Sequence, residues 1–165
     1  MLIEKLPIRY IPSQLTVKDK ERQLKALRKS RKLYKDHKYF TRPRFASFKN
    51  TPSKHVQRAK AIYGVEHISP SAQLAKATGC SISSLRKIVN KGEGAYYSSG
   101  SRPNQTAQSW GLARLASSIT AGKSASVDFN IIDRGCDHRK RAYQMAKRSR
   151  KRFGHGQSHT RRIEI

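Results

Sequence analysis

A net charge of +26 on 165 residues limits this chain more than any other feature, with 36 Lys and Arg against 10 Asp and Glu. Such a chain repels itself unless something neutralises it. Nucleic acid is the commonest polyanion that does so. Acidic protein surfaces and anionic lipid head groups are the other candidates. Hydrophobic residues make up 36%, below the roughly 45–50% of ordinary globular chains. A core therefore forms over part of the sequence, and the length suggests one domain with partner-dependent ends.

The charge is unevenly spread. Residues 18–60 carry a net +13 and residues 136–165 a net +8, while residues 61–135 carry only +4. The middle is where a core belongs. The chain reads as an N-terminal arm (1–15), a helical domain (16–135) and a basic C-terminal tail (136–165). The expected fold class is mainly α: a small helical domain with a central helix-turn-helix-like hairpin, a Gly/Ser-rich loop, at most one short strand, and basic N- and C-terminal arms. No run of about 18 apolar residues predicts a spanning helix, and no long apolar stretch follows Met1 to suggest a signal peptide.

Local signals place the elements. Thr16 with Asp19 three residues on is a capping pattern for a helix to about Tyr34, with Leu24, Leu27 and Tyr34 as its narrow apolar stripe. Ser53 and Gly64 bracket a short helix. Ser69-Pro70 opens another, with proline in the first turn. Residues 92–104 read as loop, and Asn104 as the cap of a helix to about Ile119. Trp110 beside it reads as a core or interface anchor. Val127, Phe129 and Ile131 alternate with polar residues, which suits one short strand. A basic helix spans about Asp137 to Phe153. Tyr39, Phe40, Phe45 and Phe48 interleave with basic residues. That pattern fits base stacking, although such rings more often peg a loop to its own core.

The sharpest motif is the run Ser71 to Asn90. Ala75 is small where two helices cross, and Gly79 stands where the turn needs a positive φ. Leu85 and Ile88 are the apolar positions of the second helix. That helix is expected to present Ser81, Ser83, Ser84 and Lys87 outward, toward phosphates or base edges. The plainer reading is an αα-hairpin with no groove to enter.

Chemistry finds little support. Cys80 and Cys136 are too few for a disulfide framework, and a reducing compartment is the simplest reading. Cys136-Asp137-His138 lacks a second ligand pair for zinc. The ten carboxylates are scattered, and neither cysteine has a base beside it. The segment from Tyr96 to Trp110, with Arg102, Asn104, Gln105 and Gln108, is the one conceivable enzymatic site, and it has no acid or nucleophile. No catalytic residue, metal, cofactor or small-molecule substrate is expected.

Two stretches carry a resemblance. One is Arg9-Tyr-Ile-Pro-Ser-Gln-Leu, Lys18-Asp-Lys, Arg28-Lys-Ser-Arg-Lys-Leu-Tyr and Tyr39-Phe-Thr-Arg-Pro-Arg. The other runs from Gly92-Glu-Gly-Ala-Tyr-Tyr through Arg102-Pro-Asn-Gln-Thr to Trp110-Gly-Leu-Ala-Arg-Leu-Ala-Ser. Together, over about residues 9 to 136, they resemble a small basic domain of unknown function found in large double-stranded DNA viruses of algae and protists. The resemblance implies a viral protein made in host cytoplasm and packaged in a large icosahedral virion, and it transfers no catalytic residue.

The expectation is then a non-enzymatic virion structural protein, a minor capsid or cementing component. Capsid proteins are its expected partners, with double-stranded DNA and an inner-membrane surface as further ones. The residues expected to bind acidic partners are Arg28, Lys29, Arg31, Lys32, Ser81, Ser83, Ser84, Lys87, Arg102, Arg148, Arg150, Lys151 and Arg152, since Arg pairs bidentately with carboxylate or phosphate. The alternative is a protein that condenses or regulates viral DNA through the hairpin and the basic arms.

Overall fold

The computed structural model describes residues 5–156 and 161–164. Within them the chain is mainly α, as expected, with eight α-helices; the expected limit of one short strand is exceeded by a two-stranded ladder whose partners lie at opposite ends of the sequence. The chain divides into two compact units. Unit 1 comprises the described residues of 1–51, 94–110 and 158–165; unit 2 comprises 52–93 and the described residues of 111–157.

Unit 1 begins with β1 (Lys5–Pro7), which pairs antiparallel with β2 (Arg162–Glu164) so that Leu6 faces Ile163. α1 (Val17–Lys35) follows a single 3₁₀ turn. Its cap is as the sequence predicts: the Thr16 hydroxyl accepts from the Asp19 amide at 3.2 Å. Leu6, Tyr10, Ile11, Leu15, Leu27 and Phe45 form the core of this unit, with Leu24, Phe48, Trp110 and Ile163 packed around them. Trp110 is thus an anchor, and Phe45 and Phe48 are core residues rather than stacking platforms.

Unit 1 also buries a cation. Arg42 is only 5% exposed. Its guanidinium donates to the Ser30 hydroxyl (3.0 Å), the Tyr96 carbonyl (2.7 Å) and the Ser101 hydroxyl (2.7 Å). It also lies 3.7 Å from the centre of the Tyr96 ring. Burial lowers its pKa from the usual arginine value. Hydroxyl and carbonyl dipoles and a π face hold this charge.

Unit 2 holds the larger core, built from Leu74, Leu85, Ile88, Leu115, Ile119 and Ile132 among others. α2 (Lys54–Tyr63) is capped by Ser53 and ended by Gly64 at φ 63°, as expected. α3 (Ala72–Thr78) is capped by Ser71, one residue beyond Pro70, so the proline lies outside the helix rather than in its first turn. Gly79 takes φ 79° and turns the chain into α4 (Ile82–Ser98), completing the predicted hairpin.

Three expectations fail here. α4 continues through Gly92 and Gly94, where the sequence reads as loop. Gly92 gains its place in packing: a Cβ there would lie 2.6 Å from the Gly111 Cα of α5 (Ala107–Ser118). The cap of α5 is Thr106, whose hydroxyl accepts from the Ser109 amide at 3.0 Å. Asn104 instead adopts φ 62° and grips unit 1's own loop, accepting from the Phe45 amide and donating to the Phe45 and Phe48 carbonyls. The predicted strand at 127–131 is two short helices, α6 (Lys123–Val127) and α7 (Phe129–Gly135).

The joint between α6 and α7 explains that last error. Asp128 has its side chain fully buried. Arg114 grips both carboxylate oxygens (2.9 and 2.8 Å), the Ser118 hydroxyl donates at 2.9 Å, and Lys91 Nζ lies 3.1 Å away. Burial raises the carboxyl's pKa, but the Arg114, Lys91 and Ser118 bonds outweigh it, leaving it below the ordinary carboxylate range. A polar position read as the solvent side of a strand is the most buried acid of the unit.

α8 (Arg141–Phe153) packs on α6 and α7 through Ala142, Met145, Ala146 and Ser149, and the Ser149 hydroxyl donates to the Gly122 carbonyl at 2.7 Å. Cys80 and Cys136 are bonded to each other across 56 residues. They form an antiparallel bridge flanked by Ser81 N–H to Gly135 C=O and Asp137 N–H to Gly79 C=O, both 2.8 Å. This overturns the expectation of two reduced thiols: the residues are far apart in sequence and adjacent in the fold.

Candidate anion-binding interface

The disulfide fixes where the hairpin's second helix begins. Ser81 precedes α4; its hydroxyl accepts from the Ser84 amide (3.1 Å) and donates to the Ser84 hydroxyl (2.9 Å). Gly135 passes so close that a Cβ there would sit 1.6 Å from Ser84 Oγ. Only glycine permits that approach. An open recess results, lined by Ser81, Ser83, Ser84 and Lys87 from the hairpin and by Asn130, Ile131, Arg134 and Gly135 from α7.

Four sequence-predicted residues thus meet in one place, with one correction. Ser84 does not face outward: it is 6% exposed and packed under Gly135. Ser81, Ser83 and Lys87 are exposed. Sequence reasoning missed Arg134 and Asn130, whose approach depends on the α6–α7 joint. The recess has the chemistry of an oxyanion site: two cations, three hydroxyls, one side-chain amide, and the positive end of a 17-residue helix.

The other predicted residues lie elsewhere. On α8 of the same unit, Arg148, Lys151 and Arg152 are exposed. Arg150 is engaged instead: it donates to the Ser126 carbonyl at 3.1 Å, lies 2.7 Å from His155 Nδ1, and covers the Phe129 ring. On α1 of unit 1, Arg28, Lys29 and Lys32 are exposed, with Lys29 over the Phe40 ring. Arg31 makes two bonds to the Ser99 carbonyl (2.9 and 2.7 Å), a structural use that its spacing on α1 did not reveal. Arg102 lines a second recess in unit 1 with Ile8, Arg9, Pro12, Ser13 and Gln14. Burial and the neighbouring Arg9 charge lower its pKa.

Among the described residues, no group of three or more His, Cys, Asp or Glu is placed to hold a metal. No helix there is long and apolar enough to cross a membrane. A family of unknown function, DUF5824, matches residues 7–134. No curated protein and no solved structure matches the chain.

Proposed function

The chain belongs to this family of unknown function, and we propose that it is a non-enzymatic basic component of the particle of a large double-stranded DNA virus. In this reading it is a minor capsid or cementing protein that bridges acidic surfaces of capsid proteins, with the genome or an inner membrane as further acidic neighbours. It would be made and assembled in host cytoplasm. The observation that carries the reading is the disulfide-framed basic recess of unit 2, where Lys87 and Arg134 converge beside the start of α4. Disulfides persist on virion and cell surfaces and are rare in cytosolic proteins, so a Cys80–Cys136 bond suits a particle component. The viral origin rests on the resemblance of the two motif stretches. The non-enzymatic reading is supported by how the reactive groups are used: both cysteines are bonded and Asp128 is fully paired.

A second reading has its own support. The hairpin has a left-handed glycine turn and an exposed Ser83–Lys87 edge, the layout by which helix-turn-helix proteins meet a phosphate backbone. In that reading the protein condenses or regulates viral DNA. Mass-spectrometric quantitation of purified particles separates the two. A cementing protein should be present at a constant copy number set by the shell. Scarcity in particles with abundance in infected cells would put the DNA-regulating reading first.

A further inference from the structure

Unit 1 carries an aromatic cluster that the recess does not use. Tyr34 near the end of α1 and Tyr97 near the end of α4 lie nearly parallel, 13° apart with ring centres at 6.1 Å. Tyr39 closes the group, 5.1 Å from Tyr97 and 6.1 Å from Tyr34. Tyr96 meets Tyr97 edge-on from the buried side. Tyr39 remains 69% exposed, and among the described residues only Val17 is a more open large apolar side chain.

The backbone places Tyr39 there. α1 ends in a turn at His37, which adopts φ 58°, and the Lys38 amide returns to the Leu33 carbonyl at 2.9 Å. A left-handed non-glycine residue is uncommon. Here it folds the chain back so that the next aromatic meets the ring three residues before the turn. Exposed Lys32, Lys35, Lys38 and Arg44 flank the cluster in sequence, against Asp36 as the one acid between residues 31 and 44.

From this geometry we infer that Tyr34, Tyr39 and Tyr97 form a stacking platform for the unpaired bases of single-stranded nucleic acid, with the flanking cations along its phosphates. Every base has a π face, so a tyrosine held edge-supported but open on one side accepts bases without sequence preference. The cations that flank the tyrosines in sequence favour a polyanion over an uncharged aromatic ligand. The inference rests on nucleic acid being among the acidic partners of the protein. It assigns base contact to unit 1, distinct from the phosphate contact of the unit 2 recess.

The test measures binding of the full chain to a short oligothymidylate and to an abasic strand of the same length and charge, at about 150 mM salt. The wild-type protein should prefer the base-bearing strand by about tenfold, the size of one stacked base. Tyr39→Ala should abolish that preference and leave abasic affinity unchanged, while Tyr39→Phe keeps it. Because Tyr39 is largely exposed, the variants should retain the wild-type circular dichroism. Equal affinity of the wild type for both strands would overturn the platform and leave phosphate binding standing. Binding to neither strand would overturn both.

Discussion

Among the described residues each unit buries one charge, and the two do it in opposite ways. Unit 2 buries the Asp128 carboxylate and surrounds it with Arg114, Lys91 and Ser118. Unit 1 buries the Arg42 guanidinium and surrounds it with two hydroxyls, a carbonyl and a ring, with no carboxylate among its described bonds. In a chain with 36 cations and 10 acids, a buried acid finds counter-charges easily and a buried cation does not. The difference shows how surplus charge shapes an interior as well as a surface. The scarce sign is buried with salt bridges, and the abundant sign is buried with dipoles. Unit 2 adds a covalent bond, Cys80–Cys136, and unit 1 has none.

The largest expected effect is at Asp128. Asp128→Ala leaves Arg114 facing an emptied pocket, and breaking such a pair costs about 3–5 kcal/mol. Urea denaturation should show that loss, and a change under about 1 kcal/mol would remove the ion pair from the comparison. Next comes the disulfide. The paired substitutions Cys80→Ala and Cys136→Ala should destabilise by about 2–4 kcal/mol, because a link across 56 residues restricts the unfolded chain. Arg42→Leu should cost less, about 1–3 kcal/mol, since it strands neutral acceptors rather than a charge. A larger loss there than at Asp128 would reverse the comparison.

Acid separates the two sites further. A depressed carboxyl stabilises the fold above its unfolded value, 3.8, and that stability is lost as pH falls through the lower folded value. Thermal melting below about pH 4 should therefore fall more steeply for wild type than for Asp128→Asn. Asp19 in unit 1 is lowered too, by its bond from Ser47 and by Arg22, but it is less buried than Asp128 and contributes less to this limb. The smallest effects are the helix caps. Thr16→Ala in unit 1 and Ser71→Ala in unit 2 should each cost about 1 kcal/mol. Their near equality would show that the units differ in buried charge and cross-linking rather than in helix-end chemistry.

What the sequence revealed was whatever a few neighbouring residues decide. Thr16, Ser53, Gly64 and Gly79 mark helix ends by bonds or angles spanning four residues or fewer, and each stands where its residue type predicts. The errors come from distant partners. Asp128 looks like a surface residue until Arg114 and Lys91 meet it. Gly92 looks like a loop until Gly111 packs on it, and Ser84 looks exposed until Gly135 covers it. The hairpin half of the recess was legible from Ser81 to Lys87. Arg134 was not, because its approach depends on a helix joint that alternation of Val127, Phe129 and Ile131 disguised as a strand. The tyrosine platform needed residues 34 and 97 to meet, which no local pattern encodes.

The most direct test of the central proposal, that the unit 2 recess binds the oxyanions of an acidic partner, is duplex DNA affinity against salt for wild type and for the Lys87→Ala, Arg134→Ala double variant. Log affinity of the wild type should fall linearly with log salt, and the double variant should show a slope shallower by about 2, one per lost phosphate contact. An unchanged slope, with binding weakened equally at every salt or not at all, would contradict it.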